Sequence, residues 1–354
     1  MNNVIRSLLN AGIFAAVAWP AAASDAQPFY RLESSHALAG ASGPEWDYLA
    51  FDQERSQLYI SRRHDGVCIY DAKAGTIVGT LEDTVGGNAI RLVPECDRAY
   101  VIKQDGTATV FQLSTRKKID RIKYGNDADN GFYDPVTRQL MITMGDSSQV
   151  AFLEARTGRL MGHLDIDSAA LEGAAPDGEG NFFLALRDRN QVIRINVAER
   201  RITAEWPTDG CELLCGLDYD RANKRIFVAG RGDKPVLAVL DSDSGKVVAR
   251  QTIGRGNDAV IFDPETRRVY TANGMDGNLV IIDQIDANTY RLAEAATTRP
   301  YAKTMALDFK TKKVYLVTAE GTVDPLKPRR SNLAPLYPNT FFPGTFTVLT
   351  YSAK

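Results

Sequence analysis

Histidine is scarce in this chain: only His36, His64 and His163 occur in 354 residues. With His36 and His163 expected in outer strands, a histidine-rich zinc site is argued against. Cysteine is nearly as rare. Four residues, Cys68, Cys96, Cys211 and Cys215, cannot staple a chain of this length, so packing must supply the core. Neither sign of charge dominates, with 42 Lys and Arg against 44 Asp and Glu and a net charge of −2. No global basic field advertises nucleic acid or an anionic membrane, and any such partner would need a local patch. Long apolar runs are missing too, so no membrane insertion is expected of the mature chain.

What is there begins with MNNVIRSLLNAGIFAAVAWPAAASDAQ, in which Arg6 precedes an apolar stretch from Ser7 to Trp19, then Pro20 and Ala21-Ala22-Ala23. The stretch is too short to span a bilayer and has the order of a secretory signal. Cleavage is expected after Ala23 or Ala26, leaving a periplasmic or secreted protein with a single domain over 27–354.

Beyond it one pattern recurs: an apolar strand ending in Asp or Pro, a turn, a strand, a polar loop, a strand, a small-residue turn and a last strand. WDYLAFDQERSQLYISRRHDGVCIYDAKAGTIVGTL is the clearest copy. Alignment on the first strand places Asp47, Asn88, Asp129, Glu172, Cys215, Asp258 and Lys303 at one equivalent position, in steps of 41, 41, 43, 43, 43 and 45 residues. Four strands per period of about 40 to 45 residues predict an all-β fold, a seven-bladed β-propeller. After Lys303 only three strands follow, TMALDF, KVYLVTA and FTVLTY. FYRLESSHAL near the N-terminus is expected to complete that last blade and remove an open edge.

The phrases EWDYLAFD, GFYDPVTRQL, CGLDYDRANKRIFV, NDAVIFDPETRRVY and AKTMALDFKTKKVYL resemble the YncE-like or YVTN-repeat family of exported seven-bladed propellers over essentially the whole mature chain. The resemblance implies fold well and function poorly. Asn88-Ala89 stands where many members of that family look to have His-Gly, so a role for that histidine does not carry over.

In a propeller the first strands of all blades start around the axis, so the seven aligned residues should ring the channel mouth. Four are acidic: Asp47, Asp129, Glu172 and Asp258. Carboxylates crowded on one axis raise one another's pKa unless a cation or proton sits among them. Three neutralisers are on offer. Ca²⁺ or Mg²⁺ would take these oxygens with help from Asn88 or Asn257; Lys303 lies in the ring itself; and Arg62, Arg187 and Arg231 stand at similar offsets after the second strand. The plain alternative is a water-filled channel whose acids bond neighbouring strand N–H groups.

His64, in the loop SRRHDG, is placed to act as general acid or base beside Lys303, although a loop histidine is more often simply solvated. Cys211 and Cys215 are expected to form a local disulfide in an exported protein, and Cys68 and Cys96 stand in adjoining blades where they could pair. One insertion, residues 321–345, breaks the period with five prolines and the aromatics Tyr337, Phe341 and Phe342. Its length predicts a lid over the funnel, with Tyr337 as a ligand contact and Arg329 and Arg330 facing an anion, against a clasp on the last blade. Three functions remain open: a monomeric binder of a small polar molecule or metal ion, a metal-assisted lactonase-like hydrolase or lyase, and a platform for protein or single-stranded nucleic acid.

Overall fold

A computed structural model describes residues 29–38, 45–332 and 334–353; the signal segment and its cleavage points lie outside them. Seven four-stranded antiparallel sheets follow one another in the order of the chain, the first spanning Trp46–Asp52, Gln57–Arg62, Gly66–Asp71 and Thr76–Thr80. We number these blades I to VII. Their innermost strands, Trp46–Asp52, Gly87–Val93, Gly131–Asp134, Leu171–Pro176, Leu214–Asp220, Asn257–Asp263 and Met305–Asp308, pack neighbour against neighbour until blade VII meets blade I. The expected propeller is the fold.

Local sequence explains why each blade turns where it does. The aspartate ending an inner strand folds back on the turn after it: Asp52 accepts the N–H groups of Glu54 and Arg55, both at 3.0 Å, and Asp134 accepts the Thr137 N–H at 2.9 Å and its hydroxyl at 2.6 Å. Asp220, Asp263 and Asp308 repeat the arrangement. Four residues beyond each of these five comes a left-handed residue, Ser56, Arg138, Lys224, Arg267 or Lys312, with φ between 54° and 60°. This Asx turn is the physical content of the recurring D-P-x-T-R phrase.

Hydrophobic packing lies between blades, not within them. Seven clusters each join two neighbours, for example Leu38, Trp46, Tyr315, Phe346 and Val348 between VII and I, or Phe183, Leu214, Ile226 and Val228 between IV and V. Second and third strands are buried on both faces and read as continuous apolar runs, whereas the outer strands alternate toward solvent. Closure comes from Tyr30–Ala37, which pairs antiparallel with Thr347–Ala353 from Tyr30↔Ala353 to Ala37↔Thr347. Tyr30 anchors that seam, its hydroxyl 2.8 Å from the Lys312 carbonyl and 3.0 Å from the Tyr270 hydroxyl. Among the described residues no helix is long and apolar enough to cross a membrane.

The insertion is a clasp first. Gly321–Thr322 pairs with Thr340–Phe341, and the Asn339 side chain bonds both the N–H (2.7 Å) and the carbonyl (2.9 Å) of Asp324. Phe341 is buried against Trp46 and Tyr301, with ring centroids 5.7 and 4.9 Å away. It belongs to the core between blades VII and I, which the loop's length alone could not reveal.

Candidate functional site

The aligned residues occupy a special place on their strands. Pairing of the two innermost strands slips between Trp46 and Leu49, Gly87 and Ala89, Leu171 and Ala174, Leu214 and Leu217, and Asn257 and Ala259. Asp47, Asn88, Glu172, Cys215 and Asp258 all fall within these slips. A bulge leaves a residue outside the ladder and re-aims its side chain; here it turns five side chains away from interblade packing. Asp129 and Lys303 stand just ahead of the strands Gly131–Asp134 and Met305–Asp308.

The ring is asymmetric because two glycines follow it. A Cβ on Gly173 would stand 2.6 Å from the Leu217 nitrogen, and one on Gly216 would stand 2.7 Å from the Val260 nitrogen. Only glycine lets the inner strands of blades IV, V and VI approach so closely. Glu172, Cys215 and Asp258 are drawn together, with ligand atoms within 4.8 Å of one another.

Basic side chains answer three of the four carboxylates. Arg63 reaches Asp47 at 2.5 Å, Arg187 pairs with Glu172, and Arg231 and Lys303 both pair with Asp258. Lys303 also lies 3.7 Å from Asp47. The Cys215 thiol sits 3.0 Å from Asp258 and 3.4 Å from Glu172, and Arg187 is 3.7 Å from its sulfur. Asp129 stands apart. No basic side chain lies within 4 Å of it among the described residues, and its polar side-chain neighbour is the Tyr48 hydroxyl at 3.3 Å.

The titration of these groups follows from that layout. Burial pushes the Asp129 carboxyl well above the carboxylate range, and repulsion from Glu172, Asp47 and Asp258 adds to it. Burial also raises Asp47 and Glu172, against the pull of Lys303 and Arg63 on one and of Arg187 and Arg231 on the other. Burial would raise Asp258 as well, but Arg231 and Lys303 together hold it below the ordinary range. Lys303 is correspondingly kept protonated by Asp258 and Asp47 despite its burial. That makes it a fixed charge, not a base.

Several sequence expectations need correction. Arg62 is buried away from the ring, paired with Asp65 and lying over the Phe346 ring at 4.7 Å. Arg63, the first residue past the end of the strand Gln57–Arg62, takes the place expected of it. Spacing could not decide between the two: Arg62 follows its ring residue by 15 positions, as Arg187 does, and Arg63 by 16, as Arg231 does. Asn257 is fully buried and structural, donating to the carbonyls of Ala259 (3.0 Å) and Ala272 (3.2 Å). All four cysteines are free thiols. Cys211 turns into the core between blades IV and V while the bulge sends Cys215 toward the axis, so the two sulfurs diverge. Cys68 lies in the core between blades VII and I and Cys96 beside the core between II and III, so they do not pair.

The remaining residues fall as follows. His64 is exposed on the rim, 3.6 Å from Glu45, one residue beyond the arginine that holds Asp47. Asn88 is buried in the ring, donating to the Asp129 carbonyl at 2.6 Å, while its own Oδ1 has no hydrogen-bond partner among the described residues. Tyr337 is buried against Tyr301 at 5.4 Å between centroids, and its hydroxyl approaches Gly274 beside Lys303. The clasp therefore reaches the ring through Tyr337. Arg330 lies over both Tyr301 and Phe341, at 5.2 and 5.3 Å, and Arg329 is exposed.

No family model matches the chain, and no curated protein does. Solved structures do match in fold. A chain from "Crystal Structure of Mitotic Checkpoint Complex" is similar with a TM-score of 0.71 at 11% identity, covering 99% of each chain. The Kuenenia stuttgartiensis hydrazine synthase structure gives 0.67 at 15%, covering 81% of this chain and 95% of that one. "Structure of U3-55K" gives 0.72 at 8%, covering 89% and 98%. At such identities the likeness establishes the propeller and nothing about ligands.

Proposed function

We propose that this protein is an exported binding propeller that takes a small, polar, anionic ligand at the mouth of its channel, without turnover of its own. The observation that carries the reading is the layering of charge. In every pair of the ring the cation is the exposed partner: Arg63 27% against Asp47 9%, Arg187 33% against Glu172 9%, and Arg231 26% and Lys303 19% against Asp258 7%. A ligand arriving from solvent meets guanidinium and ammonium groups, already oriented by the carboxylates beneath them. Oriented arginines suit carboxylate or phosphate groups.

The same pairing speaks against a hard-cation centre, because Ca²⁺ or Mg²⁺ would have to displace Arg231 and Lys303 from Asp258 to reach its oxygens. Lys303, held protonated, and His64, held on the rim, give little support to a hydrolase. Export rests on the apolar stretch and small residues before Ser24, in keeping with the resemblance to YncE-like propellers. N-terminal sequencing should find Ser24 or Gln27 first.

Calorimetric titration with succinate and with inorganic phosphate tests the ligand class. Saturable binding of at least one probe is expected, weakened at least tenfold by Arg187→Gln or Arg231→Gln. Unchanged affinity in both variants would remove the ring from the site.

A further inference from the structure

Three residues along from the ring, the inner strands of two blades bring a second pair of charges to the channel: Arg91 follows Asn88, and Asp218 follows Cys215. Both line a cavity of about 430 Å³ below the ring and another of about 480 Å³ that opens between the turns at Gln53, Glu54 and Pro94, on the opposite face from the ring. The walls there are mainly apolar, formed by Leu49, Leu92, Ile261, Met305, Leu307 and Phe309.

Unlike the cations of the ring, Arg91 has no carboxylate within 4 Å among the described residues. Its Nε donates to the Gly131 carbonyl at 2.6 Å and the guanidinium lies 5.3 Å from the centroid of Phe132. Its two terminal nitrogens have no hydrogen-bond partner among the described residues. Burial pulls Arg91 down to about 10, with Asp218 acting in the opposite sense. Asp218 accepts N–H groups from Phe262 (2.7 Å) and Tyr219 (2.8 Å), and no basic group comes within 4 Å among the described residues. Burial raises its carboxyl to about 6. Both side chains are part-exposed to one channel, and neither has an ion partner within 4 Å among the described residues, so each is open to a counter-charge from a ligand.

We infer that this lower chamber is a second binding site, for a small zwitterion with an apolar side group, such as a free apolar amino acid. The ligand carboxylate meets the unpartnered terminal nitrogens of Arg91, the ammonium meets Asp218, and the side group lies on Leu92, Ile261, Met305 and Leu307. One ligand then supplies both missing counter-charges, which a simple anion or cation cannot do. The site stands independently of the anionic ligand proposed for the ring.

The test is calorimetry on the mature wild-type chain with three probes: L-leucine, leucinamide, which lacks the carboxylate, and 4-methylpentanoate, which lacks the ammonium. Leucine should bind, with each truncated probe at least tenfold weaker. Arg91→Gln should abolish the preference over leucinamide, and Asp218→Asn the preference over 4-methylpentanoate. Absence of leucine binding up to roughly 10 mM, a concentration that detects even weak millimolar sites, would overturn the inference, as would equal binding of all three probes. The wild-type probe comparison decides the matter even if a variant fails to fold.

Discussion

Replacing Asp258 by Asn removes one negative charge from the ring while nearly keeping the shape of the side chain. Four acids crowded on an axis suggest that such a change relieves repulsion, but the geometry says the reverse for this one. Asp258 is the shared partner of Arg231 and Lys303 and lies 3.0 Å from the Cys215 thiol. Without it, two partly buried cations lose their closest counter-charge; Lys303 keeps Asp47 at 3.7 Å, and Arg231 keeps the weaker attraction of Glu172. Removing one partner of a buried pair costs about 3–5 kcal/mol, and the residual contact with Asp47 places Asp258→Asn near the lower end. At roughly 2–4 °C per kcal/mol for chains of a few hundred residues, Tm should fall by about 6–12 °C. Asp129→Asn is the internal control. It removes the same charge from the same ring, but from a carboxylate with no cation within 4 Å and with burial and like charges acting against it. Its Tm should hold or rise slightly, within about 0.5 kcal/mol of the parent. Calorimetric melting of both variants at pH 7 decides the matter. Equal losses, or an Asp258→Asn protein as stable as its parent, would refute the pairing scheme.

Gly173→Ala should melt lower and unsettle the Glu172–Cys215–Asp258 cluster, because its Cβ meets the Cys215–Leu217 backbone of blade V; unchanged melting would count against the close approach of those strands. Replacing residues 324–343 by a short Gly-Ser linker should lower Tm by several degrees, since Phe341 and Tyr337 leave a buried aromatic cluster; a folded variant with unchanged Tm would restore the lid. For Asp129 the folded pKa is raised, so its contribution to stability is present at low pH and lost as pH rises through that pKa. Any gain in Tm on acidification from pH 7 to 5 should shrink in Asp129→Asn, and an undiminished gain would assign it elsewhere.

The architecture was open to reading because a propeller repeats itself in sequence. The Asx-turn aspartates and the fixed spacing of the ring residues located both the blades and the axis. Side-chain partners were harder. Arg62 and Arg63 are adjacent and identical, so only the point at which the second strand ends, Arg62, tells the core residue from the ring residue. Cys211 and Cys215 look like a disulfide by spacing, yet the bulge at Cys215 sends the two sulfurs apart. Arg91 and Asp218 belong to different blades 127 positions apart, and no local pattern announces that one channel joins them. The role of Tyr337 and Phe341 depends on Trp46 and Tyr301, partners that the composition of the insertion does not identify.

Cations outermost over engaged carboxylates make the mouth of the channel selective for one kind of ion. Parallel calorimetric titrations of the mature protein with succinate and with Ca²⁺, at low ionic strength where partly exposed charges are least screened, put that preference to one measurement. Saturable heat with succinate and none with Ca²⁺ is the predicted result, given cations that stand outermost over carboxylates already engaged. Stoichiometric binding of Ca²⁺ with no response to succinate would contradict it.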